Sequence, residues 1–411
     1  MREKRQLMMA FALFIMLYLS SILTAGQTGE WPCWRGPNRD GKSPDTGLLK
    51  EWPKEGPELL WQTKGLGEGF STVAVSGGFI YTTGDIEGNL ILSALDMNGK
   101  HVWKIPVDKA WTKDKPGARS TPTIDSSRVY ILSGNGVLAC LDTKTGNRYW
   151  SKDLTSLGGN PSKWGYAESV LIYKNLAIAK PGGNNCIVAF DKNNGNVVWQ
   201  SKNYKADPEY SSCVPFTFND VSMIATGTRG GIVCVSPDTG DILWSNDWCK
   251  NNVANCPDPA YADGHIFWAN GYGKGGICLK LDVSNGKISA ERVWTTRDMV
   301  CHHGGYIIHE GYIYGNHNGG WSCIDLKTGD LKWNEKGVGK GSLCFADGML
   351  YLFGENGGRA VLATCSPDGM KMKGTVVVQG SGPSWAHPVV IGGRLYLRYA
   401  DNLYCFNVKA K

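Results

Sequence analysis

Several patterns are missing from this chain of 411 residues. Beyond residue 58 no stretch of helical period is long enough for a second domain, so strands must build everything downstream. Lysine and arginine form no cluster, and the net charge of +6 is mild for this length. Nucleic acid is therefore not an expected partner. No two cysteines are adjacent and no Cys-x-x-Cys-His occurs, which excludes an attached c-type haem. The thirteen cysteines are odd in number, so at least one is unpaired within a single chain. Cys249 and Cys256, six apart around a polar loop, are the best local disulfide candidate.

What is present is one short stretch written many times. Cys140-Leu141-Asp142-Thr143-Lys144-Thr145-Gly146 leads to Trp150. Related copies run Asp96…Gly99…Trp103, Asp191…Gly195…Trp199 and Asp325…Gly329…Trp333, with looser ones at Ser236…Gly240…Trp244 and Asp282…Gly286…Trp294. Each copy reads as a hairpin. An apolar strand ends at Asp, whose carboxylate can accept from nearby turn amides. Gly supplies the positive φ of a tight turn. A second strand ends in Trp, suited to filling the gap beside a neighbouring unit. The markers 96, 142, 191, 236, 282 and 325 step by 46, 49, 45, 46 and 43 residues, which is propeller-blade length. Degenerate copies at Ser366-Pro367-Asp368-Gly369 and Leu403–Asn407 bring the count to eight. The last lacks a closing strand, while Leu59-Leu60-Trp61 is a Trp-bearing strand without a hairpin. The expectation is an all-β, eight-bladed β-propeller of four-stranded antiparallel blades, its ring closed by the N- and C-terminal strands.

Asp-x-x-Thr-Gly-x-x-x-Trp, intact at Asp142–Trp150 and Asp325–Trp333, resembles the tryptophan-docking repeat of quinoprotein-type propellers. The opening Trp31-Pro32-Cys33-Trp34-Arg35-Gly36-Pro37 resembles that of secreted bacterial proteins with PQQ-like repeats. The resemblance covers about residues 31–411 and implies a fold shared by two functional classes. One holds pyrroloquinoline-quinone (PQQ) dehydrogenases. The other is non-enzymatic and includes the propeller lipoprotein of the outer-membrane β-barrel assembly machine. A repeat of this kind speaks for the fold and only weakly for function.

Residues 1–26 carry Arg2, Lys4 and Arg5, an apolar run Leu7–Leu23, then Thr24-Ala25-Gly26. This is the layout of an export signal. At 17 residues the run is short for a membrane span, so cleavage is expected and inner-membrane anchoring is the alternative. Residues 27–57 are rich in Gly and Pro, hold Trp31, Trp34 and Trp52, and read as a strap across one propeller face. Residues 58–411 are blades. Cys140, Cys234, Cys323 and Cys405 fall two residues before the repeat marker and read as small buried apolar groups.

Function is sought where each innermost strand starts, around the channel mouth. Five blades share a Gly-x-Ile/Leu-Tyr/Phe turn after that strand, at Gly78, Gly264, Gly311, Gly348 and Gly393. Counting back six residues gives Thr72, Thr121, Glu168, Val214, Asp258, Gly305, Ser342 and His387. Counting back eight gives Phe70, Arg119, Tyr166, Ser212, Cys256, His303, Lys340 and Trp385. Structural positions should repeat from blade to blade, and these do not, as individually placed groups around a ligand would not. The candidate site is Arg119, Trp164, Tyr166, Glu168, Asp258, His302, His303, Lys340, Trp385 and His387. Adjacent strand residues point to opposite faces, so His302 and His303 are not expected to share a metal ion.

Two functions remain. The first is an extracytoplasmic module, expected to be monomeric, whose polar mouth binds a small molecule or an envelope protein. The second, implied by the resemblance, is a dehydrogenase using PQQ with calcium. In that case Trp385 or Trp164 would wall the quinone, Arg119 or Lys340 would hold its carboxylates, and Glu168 or Asp258 would serve as cation ligand or base. The resembling dehydrogenases are longer, and many carry an adjacent-cysteine disulfide that this chain lacks.

Overall fold

The computed structural model describes residues 29–284 and 287–411. Residues 1–26, where an export signal is expected, and the turn residue Gly286 lie outside them. Among the described residues the one helical element is a 3₁₀ turn, Leu154–Leu157. Eight sheets form the ring. Blade 1 comprises Ala74–Ser76, Phe79–Ile86, Asn89–Asp96 and His101–Lys109. Blades 2 to 7 repeat this meander, with innermost strands Thr123–Asp125, Leu171–Tyr173, Val214–Phe218, Ala260–Ala262, Tyr306–His309 and Gly341–Ala346. Blade 8 holds Val389–Ile391, Arg394–Tyr399 and Asn402–Asn407, and Glu58–Thr63 pairs antiparallel with the last of these. The N-terminal strand thus closes the ring and removes a free sheet edge.

The repeat is explained by what it touches. Asp142 Oδ1 accepts from the amides of Lys144 at 3.0 Å and Thr145 at 2.8 Å, and Asp325 does the same for Lys327 and Thr328. Each Trp docks on the next blade's turn. Trp103 donates to Thr143 O, Trp150 to Lys192 O, Trp199 to Pro237 O, Trp294 to Leu326 O and Trp333 to Ser366 O, all at 2.9–3.2 Å. Trp61 closes the circle on Met97 O at 3.1 Å. The turn glycine is required twice over. Gly195 has φ 73°, and a Cβ there would lie 2.7 Å from the Trp150 ring.

Two blades depart from the pattern. In blade 5 Trp294 faces Cys278, as Trp150 faces Cys140. The equivalent of Asp142 is therefore Lys280, not Asp282, and Cys278 joins the four cysteines of the repeat. The hairpin arms extend to ten residues each, Gly275–Ser284 and Lys287–Thr296. Trp244 of blade 4, which would dock on that turn, has a buried Nε1 with no partner among the described residues. In blade 7 the docking position is Gly374. The strap fills it: Trp52 Cβ lies 2.4 Å from where a Cβ on Gly374 would stand. The Trp52 ring meets Tyr351 at 6.0 Å and 54°, against 6.1 Å and 55° for Trp150 on Tyr130. A residue from outside the blade thus restores the missing tryptophan.

All thirteen cysteines are free. Cys249 and Cys256 form no disulfide: the Cys249 thiol donates to Gly275 O at 3.0 Å, and Cys256 faces the channel mouth.

The rest of the strap enters the channel instead of lying across a face. Glu30 and Asp45 meet Gly77 and Gly393, in turns that follow innermost strands, at the end opposite the mouth. Between them the chain rises and returns. Trp31 pairs with Val75, Pro32 O accepts from Ile124 N, and Lys42–Ser43 run parallel to Phe345-Ala346. Buried Arg35 donates to Tyr306 O at 2.6 Å. Buried Arg39 donates to Ser169 O at 3.0 Å, to Cys213 O at 3.1 Å and to Val170 O. The innermost strands are sheet edges, and these guanidiniums satisfy carbonyls that no further strand can reach. The strap is a plug, with Trp34 near its tip.

Candidate functional site

Above the plug lies a blind cavity of about 390 Å³. Its geometry follows from strand register. The docking position pairs with one residue of the third strand, that residue with one of the second, and that one with a residue of the innermost strand: Cys140, Tyr130 and Thr123 in blade 2. In blade 3 the series is Ala189, Ile178, Leu171, and in blade 4 Cys234, Ala225, Val214. Two residues upstream stand Thr72, Thr121, Ser169, Ser212, Asp258, Gly305, Ser342 and His387. Four of these interlock by side chain: Thr121 Oγ1, Ser169 Oγ, Ser212 Oγ and Asp258 Oδ1 accept from the amides of Thr72, Thr121, Ser169 and Ser212 at 3.2, 2.9, 3.0 and 2.5 Å. Four residues upstream stand Phe70, Arg119, Ala167, Tyr210, Cys256, His303, Lys340 and Trp385, and all eight line the cavity.

This register corrects the sequence alignment by one residue in blade 3 and by two in blade 4. Those blades lack the glycine turn that served as marker. Lys174 (φ 52°) and Asn219-Asp220 (φ 46° and 62°) make the left-handed turns instead. Two candidates consequently fall outside the cavity. Tyr166 is buried beside Gly136, and its hydroxyl donates to Pro181 O at 2.8 Å. Glu168 is buried between blades 3 and 4, where Oε1 accepts from Lys180 N at 2.5 Å. Burial raises its pKa against the pull of Lys180. Neither can touch a ligand at the mouth. Trp164 does line the cavity, with Nε1 on Asp114 Oδ2 at 2.8 Å.

The remaining candidates converge. Asp258 accepts from Trp34 Nε1 at 2.6 Å and from Ser212 N. Lys340 Nζ lies 3.0 Å from Glu355 Oε1, which also accepts from Trp385 Nε1 at 2.7 Å. Arg119 donates to Gly117 O at 2.5 Å and to Lys115 O, over the Phe70 ring. Burial lowers its pKa to about 10 despite Asp85.

Residues 301–304 lie outside any strand, so alternation does not apply, and both His302 and His303 face the cavity. Their Nδ1 atoms are 3.3 Å apart, and Tyr272 Oη lies 2.9 Å from His302 Nε2. Burial, then Lys340, lowers the His302 pKa to about 4. Burial, then Arg35, lowers that of His387 to about 3. His303 is pushed well below its usual value, chiefly by burial and further by the nearness of His302, Lys340 and His387. All three are neutral at pH 7.

Sequence reasoning missed Trp34, Tyr210, Tyr272 and Glu355. Tyr272 and Glu355 come from the loops between second and third strands, which return to the mouth end of the ring. The glycine-rich runs Asn270–Gly273 and Gly354–Gly358 mark those loops.

Comparison with known proteins gives the same architecture. The family model described as outer membrane protein assembly factor BamB matches residues 53–184 and 88–335, together more than half of the chain. No curated protein sequence matches significantly. BamB from Moraxella catarrhalis superposes with a TM-score of 0.63 at 17% identity, covering 86% of this chain and 98% of that one. The quinohemoprotein alcohol dehydrogenase from Comamonas testosteroni gives 0.64 at 14%, covering 95% and 82%. The computationally designed Ika8 protein gives 0.61 at 11%, covering 86% and 100%. At such identities the likeness is one of fold.

Proposed function

Since the chain belongs to the family of the outer membrane protein assembly factor BamB, we propose that it is an exported module that binds a small molecule in the blind cavity at its propeller mouth. The observation that carries this is the ring of eight. Every blade sends a side chain from one register position into the same cavity, and no two are alike except in being non-repeating. The volume lies in the range of small-molecule pockets, and a blind end admits a ligand but not a threaded peptide. Export rests on the basic, apolar and small-residue order of residues 1–26.

The residues do not fit a calcium-held quinone. Both Asp258 oxygens are engaged by Trp34 and Ser212, Glu355 is shared by Lys340 and Trp385, and Glu168 lies outside the cavity. Among the described residues no group of three or more His, Cys, Asp or Glu could hold a metal ion. The aromatic rings are packed in pairs, Trp385 on Phe70 at 4.4 Å and Trp34 on His387 at 4.5 Å, and form no slot. No catalytic step is therefore assigned to Glu168 or Asp258.

Fluorescence quenching tests the reading, because Trp34, Trp164 and Trp385 line the cavity. Metabolite fractions should quench the wild-type protein and leave Ala167→Trp, which fills the cavity, unresponsive. An equal response from both proteins would place binding elsewhere.

A further inference from the structure

Two residues that line the cavity carry buried ring nitrogens that the described residues do not satisfy. His387 Nε2 lies 3.0 Å from the His303 carbonyl. A carbonyl only accepts, so the ring proton is assigned to Nε2 and Nδ1 is a bare acceptor. Nδ1 is buried and has no partner among the described residues, in a side chain only 5% exposed. A ligand that meets it must bring a donor. His303 Nε2 is likewise buried and unpartnered among the described residues. Its ring is linked through His302 to Tyr272, so it presents a proton or a lone pair according to which tautomers that chain adopts. Arg119 donates to the carbonyls of Gly117 and Lys115, and Asp85, the carboxylate that acts most on its charge, forms no ion pair with it among the described residues. Trp34 and Trp385 also line the cavity, Trp34 tilted against His387 and Trp385 tilted against Phe70 and His303.

A hydroxyl both donates and accepts, which suits the imidazole nitrogens of two residues in contact, one an acceptor and the other of either sense. A saturated ring carries hydroxyls at its edge and C–H groups on its faces, and it needs only single aromatic faces to stack on. A carboxylate answers the guanidinium. Resting on the small-molecule reading of the mouth, we propose that the cavity takes an acidic sugar. Hydroxyls of a pyranose meet His387 Nδ1 and His303 Nε2, and its carboxylate pairs with Arg119.

Calorimetric titration of the full chain with glucuronate, galacturonate and digalacturonate, beside glucose, galactose and PQQ, tests this. At least one acidic sugar should bind, with its neutral parent about tenfold weaker or more, as a charge-assisted contact implies. Arg119→Gln should bring the acid down to the level of the parent, and His387→Phe, which keeps the ring's bulk, should weaken both. Equal binding of acid and parent, binding of PQQ alone, or no binding of any sugar would overturn the proposal. If quenching by metabolite fractions remains sensitive to Ala167→Trp while no sugar binds, the sugar class fails and the cavity reading stands. If that sensitivity is absent too, both fail.

Discussion

The waist and the mouth of this propeller are built on opposite rules. At the waist one solution recurs: a Trp on the outer strand, a carbonyl on the next blade's turn and a glycine beneath the ring. Where blade 7 has Gly374 instead, Trp52 arrives from the strap and reproduces the ring geometry on Tyr351. At the mouth one register position carries eight different residues. Repetition marks groups that answer the fold's own need. Variation at an equivalent position marks groups answering something that lacks the ring's symmetry.

The largest effect should come from the waist. Trp150 and Trp52 are both buried, and replacing either with Ala removes a large side chain and leaves a cavity. Each should cost roughly 3–5 kcal/mol by denaturant titration. The comparison is sharpest for Trp52, because a strap residue that merely lay on the surface would cost far less. A Trp52→Ala variant as stable as the wild type would remove it from the ring of docking tryptophans.

That ring was partly legible in the sequence. The period of the hairpins, the Asp and Gly of the turns and the closing strand at Trp61 all follow from local chemistry that repeats. Trp52 was not legible as a substitute, because nothing in Gly-Pro-rich strap sequence says which blade it will reach. The plug was hidden for a related reason: Arg35 and Arg39 bond backbone carbonyls, which leave no mark in sequence. At the mouth the counting held where a glycine turn fixed the register, and in blade 2, where Ser126 (φ 56°) takes the left-handed position. It slipped in blades 3 and 4, where Lys174 and Asn219-Asp220 replace that glycine, and so Tyr166 and Glu168 stood for Ala167 and Ser169. His302 and His303 were set apart by a rule for strands, on residues that form none.

A smaller effect separates mouth from waist by pH. Burial holds His387 at a pKa of about 3 and His302 at about 4, below the value of about 6.5 in an unfolded chain. The unfolded state therefore binds more protons as the pH falls below 6.5. Stability contributed by the neutral rings is fully present above that value and is lost on acidification toward pH 4. Each such histidine should remove up to about 1.4 kcal/mol per pH unit in this window. Melts of wild type and His387→Gln between pH 7 and pH 4 should show a shallower decline in the variant. Parallel curves would mean that His387 takes up its proton alike in the folded and unfolded protein, and that its Nδ1 is not held as a buried bare acceptor.

The smallest effect is expected at Tyr272, whose ring is 51% exposed and whose hydroxyl meets His302 Nε2. Tyr272→Phe removes one hydrogen bond at the rim and no core packing. Stability should change by no more than about 0.5 kcal/mol, as for surface substitutions generally. The chemistry of the mouth should nonetheless change. Without the hydroxyl, the tautomer of His302 is set only by its contact with His303, so the ring nitrogens of both should move in a nitrogen-detected NMR spectrum. Nothing at the waist should move with them. If Tyr272→Phe instead lowers the melting temperature as a docking-tryptophan variant does, the rim is part of the frame. If neither stability nor the histidine signals change, Tyr272, His302 and His303 are neighbours and not a coupled chain.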